Sequence, residues 1–399
     1  MEKMRFFIGL LLIITISCSN KKSDTIQHSE YPIIIDIKEA IRNKADYRLS
    51  DIVDSITYLP VESLIGEYIT FTDPNKIRIG GKYILCGDYF SKDLLLYNRN
   101  GTFIRKLAKR GQGPWEYVYL DDLAIDEINE TVYVLSRTNR KIFKYNFNGS
   151  FLGEIVVGFL ATKIVVSPDG RLLVHFQNET GELENSFLLL NHKGDTVNIH
   201  RNVLFYRPDD TRKPIFVNDN GIYYIYDNKI HIKDRRDTLF IVENDRFIPK
   251  YVFNTGDNIS NNMTQTEFAN KLQFRYILET YDKVLFEFRL EGNIWYRGYY
   301  DKNQAKAFTS KEVAIINDID DTNNGVVKIK KTDILSFGFI YSDYQYNDKM
   351  VMYRNSEFDM DILKKRVSEN KYVEIMNMLD SVRLKDDDPV ILSVLHLIK

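Results

Sequence analysis

The chain has 399 residues, with 54 Lys+Arg against 56 Asp+Glu, a formal net charge of −2 and a pI of about 6.4. That balance leaves no basic footprint for neutralising phosphates, which argues against general nucleic-acid binding, and 44% hydrophobic with 28% charged residues is ordinary globular composition. Aromatic residues are abundant, 26 Tyr, 24 Phe and 2 Trp beside 20 Gly and 9 Pro, and they fit half-buried pleated surfaces, so a β-rich body is expected.

At the N-terminus, Lys3 and Arg5 precede an apolar run from Phe6 to Ile16, followed by Ser17 and Cys18. A charged start, a short apolar stretch and a small residue before the cleavage point make a secretory signal. As a helix the run spans roughly 16 Å, too short for a bilayer core about 30 Å thick. Thr15-Ile16-Ser17-Cys18 resembles the lipobox of bacterial lipoproteins, with Thr15 where Leu is common. The resemblance implies a signal peptide over 1–17, lipidation at Cys18 and a polar tether over 18–30; ordinary cleavage without lipid is the alternative. The remainder, 31–399, is the folded body, and no later segment reaches transmembrane length. Two cysteines exclude a disulfide framework. Cys86, in the apolar run Tyr83-Ile84-Leu85-Cys86, reads as a buried, inert thiol.

The body repeats one unit. Leu94-Leu95-Leu96-Tyr97, Ile142-Phe143-Lys144-Tyr145 and Phe187-Leu188-Leu189-Leu190 each lead into a turn that ends in Gly101, Gly149 or Gly194, and then into a second apolar strand. These glycines lie 48 and 45 residues apart, and a fainter copy, Ile230-His231-Ile232, puts Asp237 in the glycine's place. Each unit is a hairpin whose turn residues accept positive φ cheaply. A further strand pair lies upstream of each, such as Leu123-Ala124-Ile125 with Val132-Tyr133-Val134. Four strands per repeat of this length is the pattern of a β-propeller blade. The expected fold is therefore all-β, a six-bladed β-propeller with blades near 69–110, 118–157, 159–201, 214–254, 276–310 and 313–398. The last blade carries a short helical insertion near the C-terminus, about 361–382. Ring closure requires Tyr31–Ile37 or Ile56–Val61 to pair with the terminal strand. A β-sandwich or two smaller β-domains is the competing fold, and the regular period favours the propeller.

Arg110-Gly111-Gln112-Gly113-Pro114-Trp115-Glu116-Tyr117 resembles the G-x-G-P-G-E-[YF] signature of a six-bladed β-propeller family of bacterial envelope lipoproteins, itself similar to NHL-repeat propellers. The resemblance extends to Ser50–Glu62, Phe274–Thr280 and Asp388–Leu392. It implies the propeller fold and an envelope location, and no particular reaction. Trp115 stands where the signature usually has Gly, which puts a positive-φ conformation there in question. In one reading the glycines turn the chain while Trp115 and Tyr117 fill the wedge between two blades. In the other, Arg110, Trp115 and Tyr117 edge a ligand site.

The six histidines form no H-E-x-x-H or other close ligand pair, and no nucleophile elbow or P-loop is present. Asp318–Gly325 resembles a calcium loop in composition but lacks the closing glutamate, so a solvated turn is expected. Asp73, Asp121, Asp122, Glu279 and Asp343 are the carboxylates that different blades would bring to a central channel. Phe274-Arg275-Tyr276 and Trp295-Tyr296-Arg297 combine aromatic faces with hydrogen-bonding forks, which suits sugars or partner hot spots; strand aromatics also pack between blades.

These observations point to a lipid-anchored envelope propeller of a Gram-negative bacterium, an outer-membrane lipoprotein that serves as a binding or scaffold module. Its partners would be the membrane through an N-terminal lipid, and a carbohydrate, peptide or envelope protein, with no nucleic acid and no cofactor. The expected ligand-binding residues are Arg110, Trp115, Tyr117, Arg275, Trp295, Tyr296 and Arg297, with no catalytic or metal residues. The alternative is a propeller-type hydrolase or lyase on a glycan or lactone, with Ca²⁺ as its metal.

Overall fold

The computed structural model describes residues 31–46, 48–62, 76–87, 93–108, 110–158, 160–178, 181–202, 205, 222–227, 229–233, 237–256, 264, 267, 273–289, 295–310, 316–317, 327–328, 345–346, 349–354, 369–370, 372–373, 376–377 and 390–398. The chain divides into two units, Met1–Tyr31 and Pro32–Lys399, and of the first only Tyr31 is described. Cys18, Asp73, Asp343, Asp318–Asp321 and the side chain of Arg275 lie outside the described residues.

The second unit opens with β1 (Ile33–Asp36), α1 (Ile37–Arg42), β2 (Lys44–Ala45) and β3 (Val53–Val61). Four antiparallel sheets follow in strict sequence order: β4 (Ile77–Ile79), β5 (Tyr83–Gly87), β6 (Leu94–Asn98) and β7 (Phe103–Ala108); β8 (Asp122–Asp126), β9 (Thr131–Ser136), β10 (Lys141–Asn146) and β11 (Phe151–Val156); β12 (Ala161–Val166), β13 (Leu172–Phe176), β14 (Asn185–Leu190) and β15 (Thr196–Arg201); β16 (Ile222–Tyr226), β17 (Lys229–Lys233), β18 (Thr238–Glu243) and β19 (Arg246–Asn254). The fifth comprises β20 (Gln273–Glu279), β21 (Lys283–Arg289), β22 (Trp295–Asp301) and β23 (Lys306–Ser310). After the short pair β24 (Ile316–Asn317) and β25 (Val327–Lys328), the sixth sheet contains β26 (Gln345–Tyr346), β27 (Lys349–Arg354) and β28 (Val390–Leu397), and takes β3 as its outermost strand. Helical residues at 369–370, 372–373 and 376–377 fall between β27 and β28.

This is a six-bladed β-propeller, and β3 closes it by pairing Val61 with Val390 through Val53 with Leu397. Of the two segments that could have served, Ile56–Val61 closes the ring. Ile33–Asp36 instead pairs in parallel with the outer strand β19, and Lys44–Ala45 with β23. The segment before β3 thus straps the rims of blades four and five before completing blade six.

Burial explains the strand sequences. Middle strands have a blade on both faces, so Thr131–Ser136 and Leu172–Phe176 are buried throughout and mostly apolar, without the alternation of a half-wet strand. Outer strands have one wet face and alternate, as in Phe151–Val156. The apolar clusters lie between consecutive blades: Leu85, Leu94 and Leu96 meet Leu123, Val132 and Phe143, and Tyr133 and Ile142 meet Ile164 and Val174. Leu173 and Phe187 meet Ile230 and Ile232, and Val61 meets Ile77 and Tyr97. Phe253 of blade four packs on Phe274 and Phe286 of blade five, with ring centroids 4.7 and 5.6 Å apart. The high aromatic content fills these wedges.

The third-to-fourth-strand turns behave as expected in blades one to three, where Gly101, Gly149 and Gly194 have φ of 90°, 84° and 96°. In blade four the expectation fails. Thr238–Glu243 is the third strand rather than the fourth, so Asp237 is not the turn residue. The turn is Asn244-Asp245, with φ of 48° and 59°, a two-residue hairpin of the type that Asn and Asp tolerate.

Candidate functional site

Between the end of β7 and the start of β8 the chain crosses from the rim of blade one to the innermost strand of blade two. Arg110 and Tyr117 pair as a parallel bridge, and Gly111 N–H donates to Tyr117 O at 3.1 Å, pinching the loop at its base. At the tip Glu116 N–H donates to Gly113 O at 3.1 Å, a β-turn with Pro114 at its second position. Trp115, at the third, has no positive φ, so the turn is type I, which admits any side chain there. This is why Trp stands where the resembling signature has Gly. The glycine at 111 answers to space: a Cβ there would lie 1.7 Å from Glu116 Oε2. Glu116 folds back over the loop, and its Oε2 accepts from Gly113 N–H at 3.0 Å.

The three predicted residues of this loop separate. Tyr117 is fully buried among Leu85, Leu107, Leu123 and Tyr145 and fills the wedge between blades one and two. Trp115 is 63% exposed yet anchored: its carbonyl accepts from Tyr145 Oη at 2.7 Å, and its ring stacks on Phe151 at a centroid distance of 6.2 Å and 25°. Burial, with the charge of Glu116, pushes the Tyr145 phenol up, so it stays a donor. The Arg110 guanidinium lies 4.9 Å over the ring of Tyr119, which is 47% exposed. Val118 N–H donates to Asn139 Oδ1 at 2.9 Å, tying the loop to the turn after β9. The loop therefore leaves Arg110, Trp115 and Tyr119 exposed, with Arg110 held on Tyr119 and Trp115 held on Phe151 and Tyr145. Tyr119 and the supports Tyr145 and Phe151 were not singled out from sequence. No spacing in the sequence separates exposed Tyr119 from buried Tyr117, and the supports come from a different hairpin.

Trp295-Tyr296-Arg297 lies within β22 and is committed to packing. Arg297 Nε pairs with the buried Glu287 at 2.9 Å, and Tyr296 stacks on Phe288 at 5.2 Å. Trp295 lies under Arg289, 5.7 Å from its guanidinium carbon.

The described carboxylates do not gather at one place. Asp122 pairs with Arg78 at 2.7 Å and accepts from Ile164 N–H at 2.7 Å. Asp121 accepts from Arg137 N–H at 2.7 Å, and burial raises its carboxyl. Glu279 lies across the propeller between blades four and five. It contacts Lys250 and Lys302 at 2.7 Å each, and Tyr251 Oη donates to it at 2.8 Å. His231 Nδ1 stands 3.7 Å from Glu279, with its ring stacked on Tyr224. Burial alone would raise Glu279, but His231, Lys302 and Lys250 bring its carboxyl down to about 2. Among the described residues, no three His, Cys, Asp or Glu side chains are grouped to hold a metal. Cys86 is buried with its thiol pushed up by desolvation, and no described helix is long and apolar enough to cross a membrane.

Sheet order, ring closure and wedge packing define the class as a β-propeller. The chain belongs to the family described as a domain of unknown function (DUF4934), which matches residues 32–394. No curated protein matches it. Among solved structures it is similar to a protein described as exported, from Bacteroides fragilis, with 16% identity over 92% of this chain and 99% of that one and a TM-score of 0.60, which shows a shared fold. A DUF4221-family member from Bacteroides vulgatus aligns with 8% identity over 87% of this chain and 98% of that one, TM-score 0.49. BamB from Moraxella catarrhalis aligns with 9% identity over 66% and 70%, TM-score 0.40.

Proposed function

We propose that this propeller is a lipid-anchored binding module of the bacterial envelope, tethered through Cys18, whose ligand seats on the shelf formed by Arg110, Trp115 and Tyr119. The observation that carries this reading is the treatment of Trp115. Trp115 is 63% exposed, so its ring is open to a ligand. Here it is also immobilised, with its carbonyl bonded to Tyr145 and its ring backed by Phe151. An exposed aromatic held rigid from behind loses little conformational entropy on binding, which is what a recognition surface needs. The ligand class is a carbohydrate, a peptide or an envelope protein.

The test is a binding screen of the full-length protein in mild detergent against glycan and peptide panels, repeated with Trp115→Ala. Loss of the wild-type hits with unchanged melting supports the reading. Hits retained by Trp115→Ala at equal affinity remove the shelf as the site. Separately, Cys18→Ala should release the protein from the membrane fraction, and unchanged fractionation would sink the lipid anchor.

A further inference from the structure

Resting on the reading of this loop as a binding shelf, we infer that its ligand is an acidic glycan whose carboxylate is taken by Arg110 while Trp115 stacks on a sugar face. Arg110 is exposed, held by the ring of Tyr119 at 4.9 Å, and forms no ion pair among the described residues. A guanidinium stacked over a ring keeps its planar N–H fork at its edge, a geometry that matches a carboxylate bidentately. The carboxylates that could have satisfied it are turned elsewhere. Of the two acidic residues within the loop, Glu116 folds onto Gly113 N–H through the space left by Gly111, and Asp121 accepts from Arg137 N–H at 2.7 Å. In the hairpins on either side, Glu154 pairs with Lys141 at 2.6 Å and Asp93, just before β6, with Lys106 at 3.2 Å. The loop is thus left with a positive charge seated on Tyr119 and with one largely exposed aromatic side chain, Trp115.

A sugar ring presents a flat C–H face to Trp115, supported from behind by Phe151. A protein partner would be expected to bury its anchor in a well-packed pocket, whereas this surface is an open ledge. That difference favours a glycan over an acidic peptide.

The experiment measures binding of the full-length protein to polygalacturonate and alginate, to their carboxyl-reduced counterparts, to neutral xylan, mannan and glucan, and to poly-glutamate. Wild-type protein should bind the uronate polymers and lose affinity for the carboxyl-reduced ones. Arg110→Gln should weaken uronate binding by at least about tenfold, as expected for a lost charge-assisted contact, with unchanged melting. Equal binding of neutral and acidic polymers, or full affinity in Arg110→Gln, would overturn the acidic specificity while leaving Trp115-dependent glycan binding intact. Poly-glutamate bound with the same Arg110 dependence, or no glycan bound at all, would overturn the glycan assignment. The shelf itself would then stand or fall on whether Trp115→Ala removes whatever ligand remains.

Discussion

Arg78 and Asp122, on the innermost strands of adjacent blades, form an ion pair at 2.7 Å in which each side chain is only 4% exposed. The other oxygen of Asp122 accepts the backbone N–H of Ile164 in the next blade at 2.7 Å. One carboxylate therefore joins three blades near the axis.

Removing one partner of such a pair leaves an uncompensated buried charge. Asp122→Ala should destabilise the protein by about 3–5 kcal/mol, read by urea denaturation. A paired apolar replacement, Arg78→Met with Asp122→Leu, should recover most of that loss. A double variant as unstable as Asp122→Ala would show that the bond to Ile164 dominates.

The two aromatic residues of the loop should respond oppositely. Tyr117→Ala opens a cavity in the wedge between blades one and two and should cost about 3–5 kcal/mol. Trp115→Ala should change stability by less than about 1 kcal/mol, since most of the ring is already in water. Equal losses in thermal melting would make Trp115 a structural residue.

Acid should loosen the contact between blades four and five. His231 is held down to about 3, first by burial and then by Lys250 and Lys302, against the opposing pull of Glu279. Folded, it stays neutral down to that pH; unfolded, it takes a proton below about 6.5. The unfolded state binds more protons between these values, so stability falls as pH drops, by about 1.4 kcal/mol per unit below 6.5. Glu279, lowered to about 2 from 4.5, adds to the loss only below pH 4.5. Tyr224 and Tyr226 also face the imidazole. His231→Phe should flatten the dependence between pH 6.5 and 4.5; denaturation series at pH 7, 6 and 5 with identical slopes would contradict this.

Glycine substitutions should separate conformation from space. Gly149 has φ of 84°, and a Cβ there meets the backbone oxygen of Leu107 at 2.9 Å. Gly149→Ala should cost at least about 1 kcal/mol. At Gly111 the clash is with the movable carboxylate of Glu116, so Gly111→Ala combined with Glu116→Ala should be no less stable than Glu116→Ala alone, as calorimetry would show.

Much of the fold was legible because a blade is a local object. The hairpins at Gly101, Gly149 and Gly194 repeat at 48 and 45 residues, and positive φ at a turn selects Gly, Asn or Asp directly. Blade four escaped the pattern because its turn, Asn244-Asp245, uses two residues and no glycine. The candidate site was only partly legible. Sequence marked Arg110, Trp115 and Tyr117 together, but neighbouring positions in a crossing loop can face opposite ways, and only packing sends Tyr117 inward and leaves Trp115 in water.

Determined by sequence alone, then, were the all-β repeat and the crossing loop that carries the candidate residues, since each depends on periodicity and turn chemistry within a few residues. Tertiary structure decided that Ile33–Asp36 straps blade four while Val53–Val61 closes the ring. It also commits Arg297 to Glu287, while among the described residues Arg110 rests on the ring of Tyr119. Those outcomes depend on partners distant along the chain, and a strand's pairing or an arginine's charge balance is fixed only when the fold brings those partners together.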